Sequence, residues 1–245
     1  MAITLPTKPI PAESQDPKRL ILFSKAKAGK STSLAQLPGC LCIDLEGSGY
    51  DYIDAMKVKI NTVAELKELC QEIIKAGKPY KFIALDTVSR LEDMAKPLAL
   101  KLFQETPAGA NFTGDDVLDA AHGAGYGALR KAVEMCIDMV AKCAPNIILV
   151  CHTKDSYVGS GETTIKTISL TGKLGAILAS KSDAIAWLHR DEDSNTLLSF
   201  NTNDESVEVG ARPAHLRNKD IIVGKMQEDG TLLFDWSVIY PSLAE

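Results

Sequence analysis

The sequence lacks the features of a membrane or secreted protein. No apolar run approaches the length of a membrane span, and the first 18 residues have no apolar segment of the kind that signal peptides carry. Those residues contain four prolines, so residues 1–18 are predicted to be a flexible arm and residues 19–245 a single domain. We therefore expect a cytoplasmic protein.

The chain also lacks the positive net charge of a protein coated for nucleic acid and the cysteine spacing of a zinc-binding protein. Its 27 Lys and Arg residues are outnumbered by 32 Asp and Glu residues, and the net charge of −5 argues against a surface coated for nucleic acid. Any DNA contact would have to come from local basic loops or from a groove built by assembly. The six cysteines do not have the spacing of a zinc site, and we expect them to be reduced and mostly buried.

What the sequence does contain is an apolar strand, residues 19–23, that leads through a short loop into a helix. This order predicts a phosphate-binding P-loop, in which backbone N–H groups surround an anion and the helix adds a favourable dipole. Lys30 is predicted to reach the β- and γ-phosphates of ATP, and the Ser31 hydroxyl to bind Mg²⁺. The predicted nucleotide-binding residues are Ser24, Lys25, Ala26, Lys27, Ala28, Gly29, Lys30, Ser31 and Thr32.

One position of this loop departs from the usual pattern. Ser24 stands where a P-loop begins with glycine, so the turn has to form without the positive-φ freedom of that residue. The alternative interpretation is a chance Gly-Lys-Ser turn. The apolar strand before the loop and the helical spacing of Leu34 and Leu37 after it argue against that alternative.

The order of elements predicts the fold class. Strands and helices alternate over the first two-thirds of the chain, which is typical of a parallel sheet with crossover helices. After His152, short β-like runs around Gly159-Ser160-Gly161 indicate a hairpin. Two later runs, residues 196–200 and 231–234, indicate antiparallel strands. The predicted fold is α/β, a mostly parallel sheet flanked by helices with antiparallel strands toward the C-terminus.

Two carboxylates follow predicted strands. Asp86 ends an apolar run in the manner of a Walker B acid and is predicted to hold Mg²⁺, with a helix N-cap as the alternative. Glu46 follows the strand after the P-loop helix, where a carboxylate can orient the water that attacks the γ-phosphate. Thr87, directly after Asp86, cannot serve as a base. There are two alternatives: Asp44 has this role in the place of Glu46, or Glu46 is a solvated loop carboxylate without a catalytic role.

A histidine ends the strand that follows the Asp86 strand. His152 at that edge would sense the γ-phosphate and pass its presence to the following loop. The alternative is a hydrogen-bonded histidine that caps a buried strand. The predicted catalytic residues are therefore Glu46, Lys30 and His152.

Together these motifs resemble the core of RecA-type ATPases, over about residues 20–188. The short chain and the lead into a helix at residues 126–130 are similar to phage-encoded, core-only RecA-like ATPases, whose members are single-strand annealing or recombination proteins. The resemblance implies an Mg²⁺-dependent, DNA-stimulated ATPase that binds single-stranded DNA as a ring or filament of identical subunits. It also implies the host cytoplasm as the location, with a single-strand DNA-binding protein as a candidate further partner.

The resemblance further implies two DNA-contacting loops, which map to residues 112–127 and 155–171. The second loop and its edges contribute Lys154, Tyr157 and Lys166 as candidates for phosphate contacts and one base stack. The first loop carries three aspartates, which repel phosphate. Ordinary solvated connections are the alternative for both loops.

RecA-like sites are usually completed by a cation from the next subunit, and this implies an assembly in which a late residue reaches a neighbouring γ-phosphate. Arg90, which we expect to face away on the helix after Asp86, is the sole arginine that the sequence places near the Walker segments. For most of the Lys and Arg residues in the C-terminal part of the chain, the alternative is an ordinary solvated surface charge. The candidates are Lys173, Lys181, Arg212, Arg217 and Lys219, with Lys173 and Arg217 to be tested first.

The motifs predict an ATPase, and the resemblance implies that it is RecA-like, binds single-stranded DNA and promotes annealing or strand exchange, with phage DNA as the expected substrate. A rival prediction is an ATP-dependent switch or assembly factor that uses the same core to bind a protein partner. A small-molecule kinase is a third alternative, but the sequence shows no Arg-rich cluster of the kind that forms a lid over an acceptor.

Overall fold

The computed structural model describes residue 5 and residues 7–10, 14–158 and 163–244. Over these residues the chain forms one sheet with helices on its faces. The strands are β1 Arg19–Ser24, β2 Cys40–Asp44, β3 Lys57–Lys59, β4 Phe82–Asp86, β5 Asn146–Val158, β6 Thr163–Ile168, β7 Ala184–Arg190, β8 Thr196–Ser199, β9 Gly210–Ala211, β10 Asp220–Met226 and β11 Leu232–Phe234. The helices are α1 Lys30–Ala35, α2 Val63–Lys75, α3 Val88–Gln104, α4 Gly125–Val140 and α5 Leu174–Lys181.

The sheet has the strand order β11-β10-β8-β7-β1-β5-β4-β2-β3, with β6 paired to β5 and β9 paired to β7. The pairs from β7 through β3 are parallel, whereas β8, β10 and β11 continue the sheet in antiparallel fashion. The predicted fold class, an α/β fold with a mostly parallel sheet flanked by helices and antiparallel strands toward the C-terminus, is confirmed. The carboxyl ends of β1, β5, β4 and β2 meet at one edge of the sheet, where ligands bind in open parallel sheets.

Both faces of the central strands are covered, which explains why these strands read as continuous apolar runs. Ile21 and Phe23 of β1 face the cluster formed with α2, α3, α4 and α5. Leu20 and Leu22 face the opposite cluster, which contains α1 and the C-terminal segment around Trp236. The indole N–H of Trp236 donates to the carbonyl oxygen of Ser33 at 2.8 Å, so the end of the domain supports the helix that follows the P-loop.

Two predicted segments are described in part. The antiparallel pairing of β5 and β6, from Thr153↔Ile168 to Val158↔Thr163, forms the predicted hairpin, while its Gly159-Ser160-Gly161 turn lies outside the described residues. Most of the predicted arm also lies outside them or is exposed. Its last part contacts the domain, since Pro17 is buried and Asp16 accepts a hydrogen bond from the backbone N–H of Ser242.

The long segment between α3 and α4 contains two short 3-10 helices, Val117–Asp119 and Ala121–Gly123. Asp116 caps the first of them through the backbone N–H of Leu118 and forms an ion pair with Lys96 at 3.2 Å. These contacts fix the middle of the segment that was predicted to be a loop. In the part of the chain that is described, no helix is long and apolar enough to cross a membrane.

Candidate nucleotide-binding site

The loop between β1 and α1 has the backbone geometry of an anion-binding turn. Its chain passes through two residues with positive φ, Lys27 at 62° and Gly29 at 105°. Such alternation turns successive N–H groups toward one point, where they can bind an anion. Gly29 is suited to this conformation because it has no Cβ, and its carbonyl oxygen accepts the Ser33 N–H at 2.9 Å to begin α1.

Lys30 lies across this loop with its side chain largely buried. Its ammonium donates to the hydroxyl of Ser24 at 3.0 Å and to the carbonyl oxygen of Lys25 at 3.1 Å. Burial lowers the pKa of Lys30, while the charges of Asp86 and Glu46 oppose that shift. The serine that replaces the first P-loop glycine therefore has a defined contact, because its side chain helps to hold the ammonium in the loop.

Asp86 connects the P-loop to two neighbouring elements. Its Oδ2 accepts hydrogen bonds from the Ser31 hydroxyl at 2.8 Å and from the Tyr50 hydroxyl at 3.0 Å. Burial raises the pKa of Asp86, and the hydrogen bonds from Ser31 and Tyr50 oppose that shift. Sequence reasoning predicted Ser31 and Asp86 but missed Tyr50, which no motif indicates.

The residues around Ser31 suit a hard divalent cation. Asp44 is 1% exposed, and its Oδ1 accepts the N–H groups of Glu46 and Gly47. Its Oδ2 is buried without a hydrogen-bond partner among the described residues, and such an orphaned carboxylate oxygen is what a nearby cation would satisfy. No group of three or more His, Cys, Asp or Glu side chains forms a ready metal site in the described ranges.

The two other predicted catalytic side chains are in direct contact. Oε1 of Glu46 accepts a hydrogen bond from the Thr87 hydroxyl at 3.1 Å and lies 3.1 Å from Nε2 of His152. The side chains of Glu46 and His152 are 42% and 33% exposed, so both reach the solvent side of the sheet edge. Thr87 also caps α3 by accepting the N–H of Arg90. The Glu46 carboxylate is held from two directions and is accessible to a water molecule.

A cleft of about 530 Å³ joins these groups, and it includes two residues that sequence reasoning missed. Tyr52 lines the cleft and is fully exposed. Arg190, the last residue of β7, lines it on the side of Gly29. The expectation that Arg90 is the sole arginine near the Walker segments is therefore wrong. Arg90 points away and pairs with Asp93 at 4.0 Å, but the strand order places Arg190 beside the loop, 160 residues later in the chain.

The DNA-binding candidates lie together on the hairpin, away from the P-loop. Tyr157 is 76% exposed. Lys154 donates to the carbonyl oxygen of Leu170 at 2.8 Å, and the Lys166 ammonium lies 5.4 Å from the centre of the Trp187 ring. Both lysines therefore have contacts inside the chain, and Tyr157 is the freest of the three side chains.

None of the predicted trans-acting cations lines the P-loop cleft of its own chain. Lys173 lies in a separate pocket with Glu92 and Tyr126, and Arg217 donates to the carbonyl oxygen of Arg212 at 2.8 Å. Three of the five form ion pairs or backbone contacts within the domain: Lys181 with Glu134 at 2.7 Å, Arg212 with Asp183 at 3.2 Å, and Arg217 with Arg212.

The P-loop, the Asp86–Ser31 pair and the surrounding parallel sheet define a P-loop ATPase. The sequence model of the AAA_24 family, described as an AAA domain, matches residues 16–226, and the chain belongs to this family. A search of curated proteins found no match. Among solved structures, the chain is similar to a KaiC-like protein from the hyperthermophilic archaeon Pyrococcus horikoshii OT3, with 11% identity, 91% of this chain and 90% of that chain covered, and a TM-score of 0.48.

Proposed function

We propose that this protein hydrolyses ATP with Glu46 as the residue that orients the attacking water, and that the nucleotide state controls binding of single-stranded DNA in the cytoplasm. The observation that carries this proposal is the contact of Glu46 with His152. It joins the carboxylate beside the P-loop to the strand that continues into the β5–β6 hairpin. A γ-phosphate between Lys30 and Glu46 would compete for the same hydrogen bonds and so act on His152.

In this proposal the Ser31 hydroxyl and the carboxylates of Asp86 and Asp44 would hold Mg²⁺. Such an ion would supply charge neutralisation for the phosphates. Lys30 binds the phosphate oxygens from within the loop, and Glu46 accepts a hydrogen bond from water. The exposed ring of Tyr52, in the same cleft, offers a flat apolar surface to the base.

The hairpin is the proposed DNA-binding element, as the resemblance to annealing and recombination ATPases suggests. β5 is 13 residues long: its first part lies in the sheet and its last part pairs with β6. His152 stands at the junction, because the N–H of Ser169 donates to its carbonyl oxygen at 2.8 Å. His152 is two residues before Lys154 and five before Tyr157 in β5, so a movement of His152 can be passed directly to both side chains. Annealing or strand exchange would follow from holding a single strand on this element.

We expect Lys154→Gln combined with Lys166→Gln to weaken binding of single-stranded DNA. Each lysine–phosphate contact that is lost reduces the magnitude of the slope of log affinity against log salt by about 0.7. The slope of the double variant should therefore be smaller in magnitude by about 1 to 1.5. Tyr157→Ala should weaken binding without changing the slope, since stacking releases no counterions. The measurement is fluorescence anisotropy of a labelled oligonucleotide across salt concentrations, with ATP and Mg²⁺ present.

The matched control for the hairpin is Lys67→Gln combined with Lys75→Gln, two exposed positions of α2. It removes the same charge at a distance from the hairpin and should leave the salt slope unchanged. Basal ATP turnover should be similar in all these variants. Equal salt slopes in the hairpin and α2 variants would contradict the assignment of the hairpin.

A second candidate function is an ATP-dependent switch that binds a protein partner through the same hairpin. Two observations favour it: Lys154 and Lys166 are occupied by contacts inside the chain, and the net charge is −5. If the unaltered protein has no measurable affinity for single-stranded DNA in the presence of ATP and Mg²⁺, this function is the better account.

We also propose that the protein assembles head to tail, with Lys173 or Arg217 reaching the nucleotide of the neighbouring subunit. Heterologous contacts of this kind produce rings or filaments. Specific ATPase activity should then rise with protein concentration, and Glu46→Gln subunits mixed with Lys173→Ala or Arg217→Ala subunits should recover turnover. A monomer by light scattering at every concentration, with constant specific activity with and without DNA, would contradict assembly.

A further inference from the structure

Arg190 is placed beside the P-loop by the register of the sheet. β7 runs parallel to β1, and Trp187 is paired with Phe23, so the three residues after Trp187 run alongside the start of the loop. Leu188 packs in the same cluster as Leu34 of α1. Because side chains two apart on a strand share a face, Arg190 lies on the face that carries the loop and α1. Its Nη2 is 3.9 Å from the point that a Cβ on Gly29 would occupy.

The guanidinium of Arg190 has no protein partner within the described residues. No carboxylate lies within 4.0 Å of it, and its side chain makes no hydrogen bond there. The acidic residue next to it, Asp191, is occupied by the backbone N–H and side-chain amide of Asn195 at 2.8 and 3.1 Å. By contrast, Arg19 and Arg212 pair with aspartates, and Arg217 donates to a carbonyl oxygen. Arg190 therefore directs its donors into the cleft.

The strand order also determines the side from which Arg190 approaches the loop. His152 lies within β5, Asp86 is the last residue of β4 and Glu46 follows β2, and these three strands are on one side of β1. β7 is the neighbour of β1 on the other side. An anion held by the P-loop N–H groups would therefore lie between Arg190 and the Glu46 side. A guanidinium suits phosphate oxygens because its planar fork donates two parallel hydrogen bonds.

We infer that Arg190 binds the phosphate chain of the nucleotide held by its own subunit. This inference rests on the proposed ATPase function and adds a cation that acts in cis, in addition to Lys30. Its position away from Glu46 assigns it to holding the phosphates, not to orienting water. Arg190 should consequently affect nucleotide affinity more than the turnover of bound ATP, and nucleotide binding should not require a neighbouring subunit.

The test is the dissociation constant of a fluorescent ATP analogue, together with KM and kcat for ATP, in the unaltered protein and in Arg190→Ala, Arg190→Lys and Arg90→Ala. Loss of hydrogen bonds to a charged group weakens binding by about tenfold to a hundredfold, and we expect this for Arg190→Ala, with a matching rise in KM and a smaller change in kcat. Arg190→Lys keeps the charge without the fork and should be intermediate. Arg90→Ala, an exposed arginine outside the cleft, should bind as the unaltered protein does.

The possible results separate this inference from the proposed function. If the unaltered protein binds and hydrolyses ATP and Arg190→Ala does so equally well, the inference is overturned and the proposed function stands. If the unaltered protein neither binds nor hydrolyses ATP, the proposed function itself fails. Mixing Arg190→Ala with Lys30→Ala tests the cis arrangement: recovery of tight binding would show that Arg190 acts on a neighbouring subunit and would overturn the inference, whereas no recovery supports it. Circular dichroism measures whether each variant is folded. If Arg190→Ala does not fold, Arg190→Lys, which conserves charge and approximate size, provides the second test.

Discussion

Lys30→Ala should abolish most ATP turnover while the domain remains folded. The ammonium of Lys30 is held by Ser24 and by the carbonyl oxygen of Lys25, inside the loop that would surround the β- and γ-phosphates. Removing it takes away a positive charge that acts on both the ground state and the transition state. The loss of one such preorganised donor reduces turnover by about a hundredfold to a thousandfold, and binding of ATP should weaken as well. The measurement is steady-state hydrolysis with a titration of ATP.

Lys30 is buried, so a control for folding is essential. Lys30→Met keeps the apolar stem that packs in the loop and should retain the melting temperature better than Lys30→Ala, while losing turnover to the same extent. Lys67→Ala removes an exposed lysine from α2 and should change neither property. A folded Lys30→Met protein that binds and hydrolyses ATP normally would show that the loop is not a nucleotide site.

The sequence was sufficient to predict the parallel half of the fold, because strands buried on both faces and crossover helices leave strong periodic signals. It was less informative for the short edge strands. β3 has three residues and β9 two, and neither has a hydrophobic pattern of its own, since each is defined by hydrogen bonds to a neighbour. The two 3-10 helices in the loop between α3 and α4 were also not predicted, because the order there comes from the Asp116 cap and the Lys96 ion pair.

In the site, too, residues that belong to a local sequence motif were predicted, whereas residues placed by tertiary pairing were not. Lys30, Ser31 and Asp86 follow motifs of fixed spacing, and the structure brings them together as predicted. Arg190 and Tyr50 have no motif. Arg190 reaches the P-loop because β7 pairs with β1, a register that depends on the whole sheet. Tyr50 reaches Asp86 from the connection after β2. Residues that enter a site by tertiary pairing can be found once the strand order is known.

Glu46→Gln should produce a protein that binds ATP and turns it over very slowly. Oε1 of Glu46 accepts from Thr87 and contacts His152, and the amide oxygen of glutamine can occupy the same position. The substitution therefore preserves the shape of the site and removes the negative charge that polarises water. A positioned base contributes about a hundredfold to ten-thousandfold, so we expect kcat to fall within that range while the affinity for ATP is retained. Analysis of the nucleotide that stays bound should find ATP, not ADP.

The informative comparison is Asp44→Asn, because Asp44 was the alternative to Glu46. Asp44 is buried, and its Oδ1 accepts the N–H groups of Glu46 and Gly47, which an asparagine oxygen can still do. Asp44→Asn should consequently reduce turnover less than Glu46→Gln, through a weaker hold on the metal or on the Glu46 loop, and extra Mg²⁺ should restore part of the loss. Slow turnover with trapped ATP in Asp44→Asn, together with normal turnover in Glu46→Gln, would transfer the role to Asp44. Asp44 is only 1% exposed whereas the Glu46 side chain is 42% exposed, so Glu46 is the carboxylate that a water molecule can reach. We therefore expect Glu46→Gln to lose more turnover than Asp44→Asn.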